Sequence, residues 1–232
     1  MQIQRKFVFG SLLVFAAGLA YASDQTILGN SLTVKNPSTV NKRRITGKGK
    51  ELASPNTIVG NPTVNGALLT IRASGGTPTT QTFVLAQGTN GAGKPFWTGD
   101  AVKGFKYKDP TGLNGAVKLA QIKKTAGGTF VIKVCVHGQN GTILVVPPNP
   151  GTSGCMLLSL TAGDTYSVQF GPTSVITNNG ALLFKARRPT VEGTCVTTTT
   201  TTTTVTTSST TTTTLYGSPS RAFVDHVLGL LD

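Results

Sequence analysis

The stretch "TFVIKVCVH" sets a thiol, Cys135, two residues before an imidazole, His137. A cysteine whose proton can pass to a neighbouring base is the smallest arrangement from which a nucleophile is made. Strand alternation puts both groups on one face, yet neighbours of this kind stand about 7 Å apart. That spacing is too wide for a hydrogen bond without distortion, and a disulfide through Cys135 would consume the thiol. The other histidine, His226, lies beyond a threonine tract, so His137 is the only base a triad in the main domain could recruit. No G-x-S-x-G elbow accompanies it.

Other chemistry is thinner still. "GTNGAGKP", Gly88 to Pro95, spells G-x-x-x-x-G-K, but Pro95 stands where a phosphate loop needs Ser or Thr for magnesium, and no helix pattern follows. Glycoside hydrolysis needs two carboxylates across a cleft. The domain offers Asp24, Glu51, Asp100, Asp109, Asp164 and Glu192, and the sequence marks out no pair. Asp109 before proline and Asp164 after glycine are ordinary turn positions. With so few acids and histidines, neither a metal nor a cofactor is expected, and a polysaccharide-active hydrolase ranks below a binding role.

Positive charge is the strongest functional signal. The 232 residues hold 21 Lys and Arg against 8 Asp and Glu. "KRRITGKGK" packs Lys42, Arg43, Arg44, Lys48 and Lys50 into nine residues, and "KARR" adds Arg187 and Arg188. Lys118, Lys123, Lys124 and Lys133 decorate central strands. If such residues converge on one face, they form a footprint for a polyanion. Anionic polysaccharide or a cell-surface component is the expected partner. Dispersed, solvated lysines are the plainer alternative.

The elements that must position these groups read as short strands. "SLTVK", "ALLTIRA", "TFVLA", "FKYKD", "TFVIKVCV", "TILVV", "MLLSLT", "YSVQF" and "ALLFKA" are β-type runs between Gly, Asn and Pro. In "TFVIKVCVH", Phe130, Ile132, Val134 and Val136 share one face, opposite Lys133, Cys135 and His137. Asn-Gly pairs at residues 65, 90, 114, 140 and 179 suit hairpin turns. Three stretches, beginning at Asn61, Asp109 and Asn149, each couple a Pro turn, an apolar strand, a Gly turn and an aromatic strand. We read a duplicated hairpin unit. The expected fold is all-β: an antiparallel two-sheet sandwich over 24–196, one large or two small in tandem, with a candidate seam near 99–103. Trp97, Phe96, Phe105 and Tyr107 are expected in the core or between domains; a sugar-stacking platform would use the same residue types.

The ends read as non-globular. Arg5 and Lys6, the run "FVFGSLLVFAAGLA" and Ala20-Tyr21-Ala22 predict an export leader over 1–22, cut after Ala22. Without Arg5 and Lys6, 19 basic residues face 8 acidic ones, a net charge of +11. The protein is therefore expected outside the cytoplasm, in the periplasm or at a cell surface, where one disulfide forms among Cys135, Cys155 and Cys195. Cys135–Cys155 is preferred, with Cys155–Cys195 as rival. Residues 197–214 are almost all threonine and predict a disordered linker. "LYGSPSRAFVDHVLGLLD", 215–232, holds a candidate short helix opening at Ser218-Pro219.

The segment carrying Trp97, then Gly104, Phe105, Tyr107, Lys108 and Asp109, then a basic strand, resembles an uncharacterised set of secreted bacterial β-rich proteins. The likeness spans roughly Trp97 to Gly171. It implies export and a bacterial source, and brings no functional residue with it. The sequence thus points to an exported, non-enzymatic structural or adhesive module.

Overall fold

The computed structural model describes residues 22–195. The leader through Tyr21, the threonine tract and the 215–232 segment lie outside the described residues. Within them the chain runs β1 (Asp24–Thr26), β2 (Gly29–Lys35), β3 (Arg44–Glu51), β4 (Ala67–Gly75), β5 (Thr79–Leu85), β6 (Trp97–Asp100) and β7 (Gly104–Lys108). It continues through β8 (Val117–Lys124), β9 (Phe130–His137), β10 (Gly151–Leu160), β11 (Thr165–Phe170), β12 (Val175–Asn179) and β13 (Leu183–Arg187). A five-stranded sheet orders β1-β11-β10-β4-β5; an eight-stranded sheet orders β12-β13-β2-β3-β9-β8-β7-β6. All pairings are antiparallel except β1 with β11. The fold is the expected all-β two-sheet sandwich, and the buried residues of both sheets form one cluster. The three similar stretches each form an antiparallel hairpin: β4–β5, β8–β9 and β10–β11.

Alternation builds the core. Phe130, Ile132, Val134 and Val136 of β9 point inward, as do Met156, Leu158 and Leu160 of β10. Across the gap, Phe130 meets Tyr166 with ring centroids 5.5 Å apart. β3 solves the same problem differently. Ile45, Gly47 and Gly49 are its inward positions, and the facing sheet fills the space two glycines leave. A Cβ on Gly47 would stand 2.6 Å from Met156 Sδ, and one on Gly49 3.0 Å from a Val168 methyl.

Several expectations are corrected. "TILVV" forms no strand. Its Ile143 and Val145 are buried, and its backbone bonds to side chains on the edge of β5. The Gln81 amide donates to Thr142 O at 3.1 Å and accepts from Leu144 N at 2.7 Å. Thr79 Oγ1 does the same with Val146 O and N, at 2.9 and 3.1 Å, so the segment shields a sheet edge from further pairing. Asn65-Gly66 ends a single helical turn, α1 (Pro62–Asn65), rather than closing a hairpin. Residues 99–103 lie at the β6–β7 turn, where the Asp100 carboxylate accepts from Val102 N and Lys103 N at 2.8 and 2.7 Å. Trp97 is only 2% exposed, which leaves no sugar-stacking platform; its indole N–H donates to Leu85 O at 3.2 Å.

The disulfide joins Cys155 to Cys195, with Cα atoms 5.7 Å apart, and not Cys135 to Cys155. Cys135 faces out of the eight-stranded sheet and Cys155 sits at an outward position of the five-stranded one, so the sandwich stands between them. The segment after β13 brings Cys195 to β10 instead. Closing a loop of 40 residues stabilises the fold by roughly 2–4 kcal/mol.

Asp164 ties three segments together from a fully buried position. Its carboxylate accepts from Ser23 N at 2.9 Å, Val59 N at 2.6 Å and Tyr166 Oη at 3.3 Å. Burial, then the Asp164 charge and hydrogen bond, pushes the Tyr166 phenol far above its ordinary value. Asp164→Ala takes the acceptor from the buried Tyr166 hydroxyl and from the Ser23 and Val59 N–H groups, and is expected to cost about 2–4 kcal/mol. A urea melt checks this; a loss below about 1 kcal/mol would show that water replaces the carboxylate.

Candidate functional site

With one face of the eight-stranded sheet packed inward, the polar residues of its strands share the other. Register aligns them in rows about 4.8 Å apart from strand to strand. One row runs Arg187, Ser31, Lys48, Lys133, Gln121, Lys106. The next runs Lys185, Thr33, Thr46, Cys135, Leu119, Lys108. A third sets Lys35 beside Arg44 and Arg44 beside His137; a fourth sets Lys50 beside Val131 and Val131 beside Lys123. Thr46, Cys135 and Leu119 thus floor a trough with cations on both banks. An open groove of about 620 Å³ lies here, lined among others by Arg44, Lys48, Lys108, Lys118, Lys133, Cys135 and His137.

Five of the six carboxylates of the described residues are engaged elsewhere, and the sixth, Asp24, lies on β1 of the other sheet. Asp109, fully buried, accepts from the backbone N–H groups of Gly112, Leu113 and Asn114 at 2.9, 3.0 and 2.7 Å and so closes the loop beside Pro110. Asp164 and Asp100 hold the segments described above. Glu51 and Glu192 bind Ser54 and Thr26, respectively. The cations therefore face one another without neutralisation. The Lys106 ammonium is held below its ordinary value, first by the Lys108 charge, then by desolvation, with Lys133 adding to it.

The residues singled out from the sequence separate. Arg44, Lys48, Lys50 and Arg187 fall on outward positions of this sheet, in company with Lys118, Lys123 and Lys133. Lys42 sits on a 3-10 turn (Val40–Lys42). Arg43 turns aside to donate to Ile143 O at 3.0 Å. Lys124 donates to Asn56 O at 2.8 Å, and Arg188 lies past the end of β13 at φ 50°. Lys106, Lys108 and Lys185 belong to the basic face, although no cluster in the sequence drew attention to the first two. Their signal was the alternation of "FKYK", which opposes two lysines to Phe105 and Tyr107.

The thiol and imidazole meet after all: Cys135 Sγ lies 3.1 Å from His137 Nε2. The spacing of about 7 Å holds for the strand positions, and the long imidazole closes it by folding back along the strand. Arg44, across the β3–β9 pair, donates to Cys135 Sγ at 3.5 Å. Partial burial, then the charges of Arg44 and Lys118, holds the His137 imidazole below its ordinary value, so it is neutral at pH 7.

A carboxylate pair also escaped sequence reading. Glu51 and Glu192, 141 positions apart in the chain, are electrostatic neighbours in the fold. Burial, then Glu192, raises the Glu51 carboxyl above its ordinary value while Ser54 opposes. Neither carboxyl lines the groove.

The architecture is a two-sheet sandwich that presents an unneutralised basic groove on one outer face. No protein family, curated protein or solved structure matches the chain. Among the described residues, no helix is long and apolar enough to cross a membrane.

A carboxyl whose value is raised on folding adds stability that is full below its unfolded value and lost as pH rises through the folded one. Glu192→Gln removes the repulsion. It is expected to raise Tm at pH 7 by about 1–2 °C, to leave Tm at pH 4 unchanged, and to flatten the slope between. Thermal melts across that range check it; an equal shift at both pH values would contradict it.

Proposed function

We propose that this protein is an exported, non-enzymatic binding module, structural or adhesive, that holds a linear anionic polysaccharide on the outer face of its eight-stranded sheet. The observation that carries the reading is the row from Arg187 through Lys48 and Lys133 to Lys106, aligned by register and facing no carboxylate among the described residues. Mutual repulsion among Lys106, Lys108 and Lys133 is the energy a polyanion would relieve. A chain of sulfates or carboxylates lying in the trough can meet cations on both banks. Base stacking is poorly served, because the outward positions of β3, β7, β8 and β9 hold no Phe, Tyr or Trp. Export, and a place at or near the cell surface, belong to the same proposal and rest on the leader pattern of residues 1–22.

The test is binding to size-defined heparin fragments at several salt concentrations. Affinity is expected to fall linearly with log salt, and Lys48→Gln with Lys133→Gln to reduce that slope by roughly 1 for each charge removed. Lys42→Gln with Lys94→Gln, also removing two charges, should change it little. Elution of the wild-type chain at physiological ionic strength, or equal losses in both double variants, would overturn the reading.

A further inference from the structure

We infer that Cys135 is the nucleophile of a thiol–disulfide exchange site whose co-substrate is a small, carboxylate-bearing disulfide. The sulfur does not stand alone. His137 Nε2 lies 3.1 Å from it and the Arg44 guanidinium 3.5 Å, and all three line the same open groove. The side chain is half-buried, reachable from the groove, and outside the Cys155–Cys195 bridge. A neutral imidazole can take the thiol proton. Arg44 then faces the sulfur at the moment it carries negative charge. Lys48, Lys108 and Lys133 stand where a ligand's carboxylates would lie, so the groove selects the co-substrate by charge.

The step balances without a further oxidant. The Cys135 proton passes to His137 Nε2, and the sulfur attacks one sulfur of the disulfide. That S–S bond breaks as the new one forms. The leaving half departs as a thiolate and takes the proton back from the imidazolium. One disulfide is exchanged for another, and the protein retains a carboxylate-bearing cap. Cys155 and Cys195 lie with the other sheet, so neither can resolve the mixed disulfide. An external thiol must remove it, which makes the cap reversible.

This inference stands on the thiol geometry, not on the polysaccharide reading, although the two share a groove. The test treats the full chain with a dianionic disulfide (5,5′-dithiobis(2-nitrobenzoate)), a neutral one (4,4′-dithiodipyridine) and a dicationic one (cystamine). Each rate is divided by that for the protein unfolded in guanidinium chloride, which cancels the reagent's own reactivity. The ratio is expected to be at least about tenfold higher for the dianion than for the dication at low salt, and the gap to shrink as salt is added. Arg44→Gln and His137→Asn should each slow the dianion several-fold, and Cys135→Ser should abolish reaction. Glutathione disulfide should leave one glutathionyl group on the native chain by mass. Equal ratios for all three reagents, or unchanged rates in both variants, would overturn the inference. Charge-ranked thiol reactivity in a chain that ignores heparin would sink the polysaccharide proposal alone. Heparin binding that survives in Cys135→Ser beside unranked thiol reactivity would sink this one alone.

Discussion

A sheet packed against another sheet has one wet face, and the charged side chains within its central strands, short of their ends, must emerge there. In this sandwich the constraint falls hardest on β3. Its inward positions are Ile45, Gly47 and Gly49; its outward ones are Arg44, Thr46, Lys48 and Lys50. The glycines let Met156 and Val168 of the facing sheet approach the strand's backbone closely. The strand that draws the two sheets together is therefore also the one that carries most charge outward. β9 and β8 continue the pattern on one side, and β2 and β13 on the other. Burial on one face and cation display on the opposite face are a single consequence of period-two geometry.

The acids follow a different logic. Asp109 and Asp164 are fully buried and spend their oxygens on backbone N–H groups of loops. Asp100 caps the β6–β7 turn, and Glu51 and Glu192 accept from hydroxyls. Loop closure thus removes the carboxylates that could have neutralised the lysines. The outer face keeps its repulsion, a cost that the polyanion proposed as its ligand would convert into affinity. Within the same face, Arg44 and His137 contact the one thiol outside a disulfide, so the two proposed activities would share a floor.

Much of this was legible in the residues. The alternation of "FVIKVCVH" and "FKYK" fixed which side chains share a face, and the all-β class followed from it. β3 was harder to see because its inward side is written in glycine, so "RITGKGK" shows no apolar period. "TILVV" misled in the opposite sense: an apolar run with strand composition, whose backbone satisfies itself on the side chains of Thr79 and Gln81. Pairing between segments distant in the chain is not encoded locally. Neither the Cys155–Cys195 bridge nor the proximity of Glu51 to Glu192 had any signal in spacing. The Cys135–His137 contact failed as a sequence expectation for a narrower reason: strand spacing was counted, and the reach of an imidazole was not.

Backbone amide shifts of the isotope-labelled protein, titrated with a defined anionic oligosaccharide, would locate the ligand strand by strand. Perturbations are expected to concentrate on β3, β9, β8 and β7, strongest around Lys48, Lys133 and Cys135, with β4 and β5 silent. Perturbations centred on the five-stranded sheet, or spread evenly over exposed lysines in loops, would contradict the proposed binding face.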